Sequence, residues 1–230
     1  MSSYINVGEA GRFPAPPEAT RTHTPLDWER ALHFIREQLM HKFSVVREEV
    51  GLSKNKQQIF ACWRVEGEGE IENCLGFRSS YNKSLSTGIC SGVSVVVCDN
   101  LCFRGSDYNS AHKNTPGGWG WLEGALKSAL STLGCVRGEW EEKIRSYRDV
   151  ICSEERGAEL VGLAQYSGVL PARMANTARE EWRASERNLW GVYNAMTSGL
   201  HGISPPRRIE VATGIDSWLT TSGRMDSVPF

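Results

Sequence analysis

Residues 57–67 read QQIFACWRVEG and residues 71–80 read IENCLGFRSS. In the first stretch Ile59, Ala61, Trp63 and Val65 alternate with Phe60, Cys62 and Arg64. A period of two puts the first set on one face of a strand and the second set on the other. One face is then wholly apolar and its reverse mixed, a pattern that a helix of period 3.6 would not produce. The same texture of short β-branched or aromatic segments, cut by Gly, Asn, Lys or Ser, extends both ways along the chain. FSVVREEV (43–50), GVSVVVCDN (92–100) and LCFRG (101–105) complete a mostly antiparallel meander of about five strands between Phe43 and Arg104.

Outward from the meander the period changes. Thr24 is a good N-cap, Pro25 suits the first helical position and Asp27 suits the positive end of a helix dipole. Leu26, Trp28, Leu32, Ile35 and Leu39 then follow helical spacing to about His41. Beyond NTPGGWG the spacing is helical again. WLEGALKSALSTLG (121–134) reads as one helix and residues 138–168 as a longer one. LPARMANTAREEWR follows, then SERNLWGVYNAMTSGL capped by Ser185 and closed by Gly199, then a helix with Pro206 near its start. A strand block followed by a helix block predicts an α+β fold. Residues 1–23, rich in Pro, Gly, Ala and Thr, read as a flexible arm, 24–222 as one domain and 223–230 as a loose tail.

The chain has 230 residues, with 26 Lys and Arg against 27 Asp and Glu, a net charge of −1. No global field draws it to nucleic acid or to an anionic membrane, so such binding requires a local patch. No run approaches the roughly 18 apolar residues of a membrane span, and no secretory signal opens the sequence. Seven cysteines without a tight framework read as reduced thiols, hence a cytosolic setting. Most of the eight tryptophans are expected in the core.

Several short motifs stand in order between residues 74 and 200. FRSSYNKS carries Arg78, Ser80 and Ser84; VVCDN carries Cys98 and Asn100; SAHKNT supplies His112; NLWGVYNAMT supplies Leu189, Trp190, Tyr193, Asn194, Ala195 and Thr197. In these elements the chain resembles the phage/plasmid-like proteins, a family of unknown function carried by bacteriophages, plasmids and prophages. The resemblance implies a mobile genetic element working in bacterial cytoplasm. Tyr81, Asn82 and Lys83 stand where that family tends to have His, Asp and Gly, so the groups best suited to proton transfer are replaced. The resemblance therefore points away from an enzyme.

Four chemistries can be set against these residues. Arg64, Arg78, Ser80, Ser84 and Asn100 are candidates for an anion site, because arginine forks with hydroxyls bind phosphate or carboxylate. The competing reading has each arginine reach out to solvent or pair with one of Glu66, Glu68, Glu70 or Glu72. Cys98 and His112, with Asp99 or Asn100 orienting the ring, would make a catalytic pair in a hydrolase or nucleotide-processing enzyme; a cysteine ending a valine-rich strand more often serves as a small hydrophobe. Cys90, Cys98, Cys102 and His112 lack the second close pair of a zinc site, and no cofactor fingerprint is present. Nucleic acid is the fourth: Lys54, Lys56, Lys83, Arg104 and Lys113 lie in turns that could form a basic stripe, with Trp63, Tyr81 or Tyr108 to stack on bases. The competing reading leaves them as solvated turn residues.

The expected partner is nucleic acid, single-stranded DNA among the options, or a host bacterial protein; self-association into a homo-oligomer is compatible with the chain. In the helix around Tyr193, Asn194 or Thr197 is expected to tie helix to sheet through a buried hydrogen bond.

Overall fold

A computed structural model describes residues 4–6, 12–67, 71–95, 100–103, 112–203 and 205–222. The chain opens with β1 (Tyr4–Asn6), α1 (Trp28–Met40), β2 (Val45–Ser53), β3 (Gln58–Val65), β4 (Ile71–Ser80), β5 (Gly88–Val95) and β6 (Asn100–Phe103). Strand order in the sheet follows chain order, and the pairs β1–β2, β2–β3 and β3–β4 are antiparallel. The helical half follows as α2 (Gly118–Arg148), α3 (Glu154–Tyr166), α4 (Ala172–Ala184), α5 (Leu189–Ser198), a 3-10 turn (Gly199–Gly202) and α6 (Pro205–Ser222). The fold is α+β. Among the described residues no helix is long and apolar enough to cross a membrane.

The period-two reading sets the register. Trp63 lies opposite Leu75 and Ala61 opposite Phe77, so the apolar sets of β3 and β4 share a face. On that face they form one core with Trp28, Leu32, Ile35 and Leu39 of α1 and Leu122, Leu126 and Leu133 of α2. Each fully buried aliphatic side chain there contributes about 1.5–3 kcal/mol relative to exposure. The reverse face is buried at its centre too: Phe60, Cys62, Arg64 and Cys74 are all nearly inaccessible. Its mixed character therefore did not make it a solvated surface.

Three boundaries differ from the sequence reading. Asp27, not Thr24, caps α1, its carboxylate accepting from Arg30 N at 3.1 Å. The Thr24 N–H is already committed to the Asn114 carbonyl at 2.8 Å. Second, no break separates 121–134 from the residues after Gly138. Gly134 and Gly138 sit inside a single helix of 31 residues, at positions where an added Cβ would meet nothing. Glycine costs an exposed helix about 1 kcal/mol, which the buried leucine stripe of α2 offsets. The real break comes at Ser153, which caps α3 by accepting from Arg156 N at 3.2 Å. Third, Asn188 rather than Ser185 caps α5, accepting from Gly191 N at 2.9 Å.

The stretch 1–23 is more than an arm. It supplies β1, paired to Gly51–Ser53 of β2, and Phe13, packed on the core. A bridge also closes Thr20 onto His23.

The chain divides into two compact units: residues 1–94 with 103–137, and residues 95–102 with 138–230. The first holds the helix-backed sheet. In the second, α5 is buried on nearly every side, from Leu189 to Thr197. The Thr197 hydroxyl donates to Tyr193 O at 2.9 Å within its own helix. Trp182 of α4 lies against Gly157 of α3, and its indole N–H donates to Glu154 O at 2.9 Å.

Candidate functional site

At the end of the sheet where β4 runs out, three segments of the first unit meet: Thr20–Thr24, the loop Tyr81–Ser86, and His112–Thr115. The loop is built by its own side chains. Ser80 Oγ donates to Leu85 O at 2.8 Å and accepts from Leu85 N at 2.9 Å, closing the loop at its base. Asn82 Oδ1 accepts from Ser84 N at 3.2 Å, and Gln58 Nε2 donates to Ser84 Oγ at 2.8 Å. Lys83, between them, is held at φ 64°. That left-handed conformation is uncommon outside glycine and costs of order 1–3 kcal/mol unless the surroundings impose it. Tyr81 anchors the loop by stacking on Trp28, ring centroids 3.7 Å apart. Burial pushes its phenol up to about 12.

A buried polar chain ties the segments together. Ser79 and Thr87 hydroxyls lie 2.7 Å apart, and Thr87 Oγ1 donates to Asn114 Oδ1 at 2.5 Å. Asn114 Nδ2 donates to Ser80 O at 2.9 Å. The Asn114 carbonyl takes the Thr24 N–H, and Thr87 and His112 exchange backbone bonds of 3.1 and 2.9 Å. One asparagine thus links β4, the start of β5 and the entry to α1.

These segments enclose a pocket of about 270 Å³ lined by Thr22, His23, Lys83, Leu85, Ser86, Lys113, Asn114 and Thr115. Two lysines and a histidine line it, with four uncharged polar side chains and, among the described residues, no carboxylate. Lys83 and Lys113 are exposed, and neither is ion-paired among the described residues. His23 is 7% exposed. Its Nε2 is buried with no hydrogen-bond partner. Burial first, and the Lys83 ammonium second, hold its imidazole below the usual value. An anion is the ligand such a lining favours, because it would answer two ammonium groups that lack a partner of opposite charge among the described residues.

The residues singled out in the sequence are spread more widely. Arg64 and Arg78 do share the reverse face of the sheet, but Arg64 lies opposite Cys74 and Arg78 opposite Phe60. That is four residues along the strands, roughly 13 Å at the strand rise. Arg64 Nη2 lies 3.3 Å from Glu49 Oε1 of β2; Glu68 and Glu70 fall outside the described residues. Ser80 and Ser84 shape the loop as described. His112 is half-buried at the base of α2, its ring 5.6 Å from that of Trp121 and its Nε2 3.3 Å from Thr115 Oγ1. Asn100 begins β6; its side chain, Cys98 and Arg104 fall outside the described residues, as does Tyr108.

Lys54 and Lys56 occupy the β2–β3 turn. That turn sits beside the loop, since Tyr81 N donates to Gln57 O at 2.9 Å. Two of the three stacking candidates are not available to a base: Trp63 is fully buried and Tyr81 is 6% exposed under Trp28. Sequence reading missed His23, Thr22, Ser86, Asn114 and Thr115. Their only signal was the polar density of TRTHT (20–24), YNKSLST (81–87) and HKNT (112–115).

Among the described residues no three His, Cys, Asp or Glu side chains are grouped to hold a metal ion. The chain matches no protein-family model, no curated protein and no solved structure.

Proposed function

We infer that the protein binds single-stranded nucleic acid through its phosphates, at the sheet end that carries the basic pocket. The observation that carries this reading is the lining itself: among the described residues, Lys83, Lys113 and His23 line one pocket with hydroxyl and amide groups and no carboxylate. Lys54 and Lys56 on the adjoining turn extend the positive charge beyond the pocket. In a chain of net charge −1, a carboxylate-free cationic cluster of this kind is a local patch of the sort that polyanion binding needs. With Trp63 and Tyr81 packed away, recognition is of backbone phosphate rather than of stacked bases. Such binding is indifferent to sequence and suits an accessory protein of replication or recombination in a mobile genetic element, the setting implied by the motif resemblance.

The test is fluorescence anisotropy of a labelled single strand across a salt series. Three phosphate contacts give a log–log slope of roughly −2, from about −0.7 per contact. The double substitution Lys83→Glu with Lys113→Glu should abolish binding and leave the fold intact, both side chains being exposed. Absence of binding at low salt, or binding untouched by the double substitution, would overturn the reading and leave a host protein as the partner to seek.

A further inference from the structure

His23 stands where its ring is covered and its surroundings are already positive. We propose that it is an acid-sensitive latch: protonation of the ring frees Thr20–Thr24 from the end of the sheet and takes one wall off the pocket. This goes beyond the reading above and does not depend on what the pocket binds.

The segment is built to open locally. Thr20 and His23 exchange backbone bonds of 2.8 and 3.3 Å, closing a tight turn. The Thr24 N–H ties that turn to the segment ahead of α2, donating to Asn114 O at 2.8 Å. Further along, Leu26 and Trp28 are buried in the core, so an opening can stop there without unfolding α1. Thr22 and His23 are the part of this segment that lines the pocket.

The ring is what makes closure depend on acid. His23 is 7% exposed, and its Nε2 is buried with no hydrogen-bond partner. A neutral imidazole can leave that nitrogen as an unprotonated acceptor, whereas an imidazolium carries an N–H on both nitrogens. Protonation therefore places a charged donor where no acceptor stands. Lys83 on the loop after β4 and Lys113 ahead of α2 line the same pocket, with no carboxylate among the described lining residues. Arg21 of its own turn is exposed, and the Asp27 carboxylate accepts from Arg30 N at the start of α1. His112 is a second imidazole at this end of the sheet, its Nε2 3.3 Å from Thr115 Oγ1. Burial first, and then the Lys83 charge, already hold the His23 imidazole below its usual value. The closed segment thus binds fewer protons than the open one. Closure is at full strength above about pH 6.5 and weakens as pH falls below it.

The experiment is NMR of the full chain between roughly pH 7.5 and pH 5, on either side of the ordinary imidazole value. The His23 Cε1–H should titrate below that ordinary value. Exchange protection of the Thr24 amide, corrected for the intrinsic rate, should fall roughly threefold or more across the range, while the β3 and β4 amides keep theirs. In His23→Gln, which is neutral at every pH, Thr24 protection should stay level; in His112→Gln it should fall as in the wild type. An ordinary or raised titration point for His23 would overturn the latch whether or not the variants fold. So would Thr24 protection that ignores pH, or that falls equally in His23→Gln. None of these readouts involves a nucleic acid, so the latch and the nucleic-acid reading stand or fall separately.

Discussion

Asn114 is the residue on which the pocket's architecture turns, and Asn114→Ala measures how much. The substitution removes the bond from Thr87 Oγ1 and the bond to Ser80 O, both buried. It keeps the backbone bond from Thr24 N, which needs no side chain. Two net hydrogen bonds are worth about 1 kcal/mol each, and a buried carbonyl left short of a donor adds about 1–3 kcal/mol. The sum is about 3–5 kcal/mol. Thr87 retains the Ser79 hydroxyl at 2.7 Å, so the lower half of that range is favoured.

The assay is urea unfolding followed through hydrogen exchange of β3 and β4 amides, which reports on the unit that holds Asn114. At a urea dependence of about 2–3 kcal/mol per molar, the midpoint should fall by roughly 1–2 M. Thr87→Val removes the same bond from the other side, so the double variant should cost less than the two singles together, by about 0.5 kcal/mol or more. A loss below about 0.5 kcal/mol for Asn114→Ala, or strict additivity with Thr87→Val, would refute the claim that this asparagine joins the segments. Phosphate binding should fall with the structure, since Asn114 stands beside Lys113 on the pocket wall.

In the second unit, Gly157→Ala would drive a methyl group into the Trp182 indole. Overpacking of this kind costs about 1–3 kcal/mol, read as a fall in melting temperature of roughly 2–4 °C per kcal/mol; an unchanged melting temperature would count against the close packing of α3 on α4. The Tyr81 phenol, raised by burial to about 12, is neutral in the folded chain at a pH where the unfolded chain has begun to ionise. The unfolded state then binds fewer protons, so stability falls as pH rises from about 10 to about 12. Tyr81→Phe should flatten that part of the stability–pH curve, and an identical slope in the variant would show that the phenol contributes nothing to it.

How much of this was legible in the sequence depends on range. The strands were readable because a period of two is written in consecutive residues: Ile59, Ala61, Trp63 and Val65 needed no partner to declare their face, and the partner strand obeyed the same rule. Helix positions were readable and their ends were not. Thr24 looked the better cap than Asp27, but the long-range bond from its N–H to Asn114 O took it out of the helix. Gly134 and Gly138 looked like breakers, and tertiary packing of α2 overrode a local cost of about 1 kcal/mol at each. In each case a contact far along the chain outweighed a local preference of similar size.

The site shows the same effect more strongly, because nothing in it is periodic. Arg64 and Arg78 drew notice as charges next to a hydrophobic strand, yet a charge on a β3 or β4 side chain faces a sheet that is buried on both sides. Arg64 therefore had to be paired where it stood, and Glu49 on the adjacent strand was the nearest carboxylate that the register could deliver. Lysines in turns carry no such obligation. Lys83 and Lys113 lie outside the strands, where no cross-strand carboxylate is opposite them, and they remain unpaired among the described residues. The physics that neutralises charge inside a sheet thus leaves it available at the sheet's end. That is why the basic site formed around the loop that follows β4, while Arg64, which looked more suited to an anion, is paired with Glu49 of the adjacent strand.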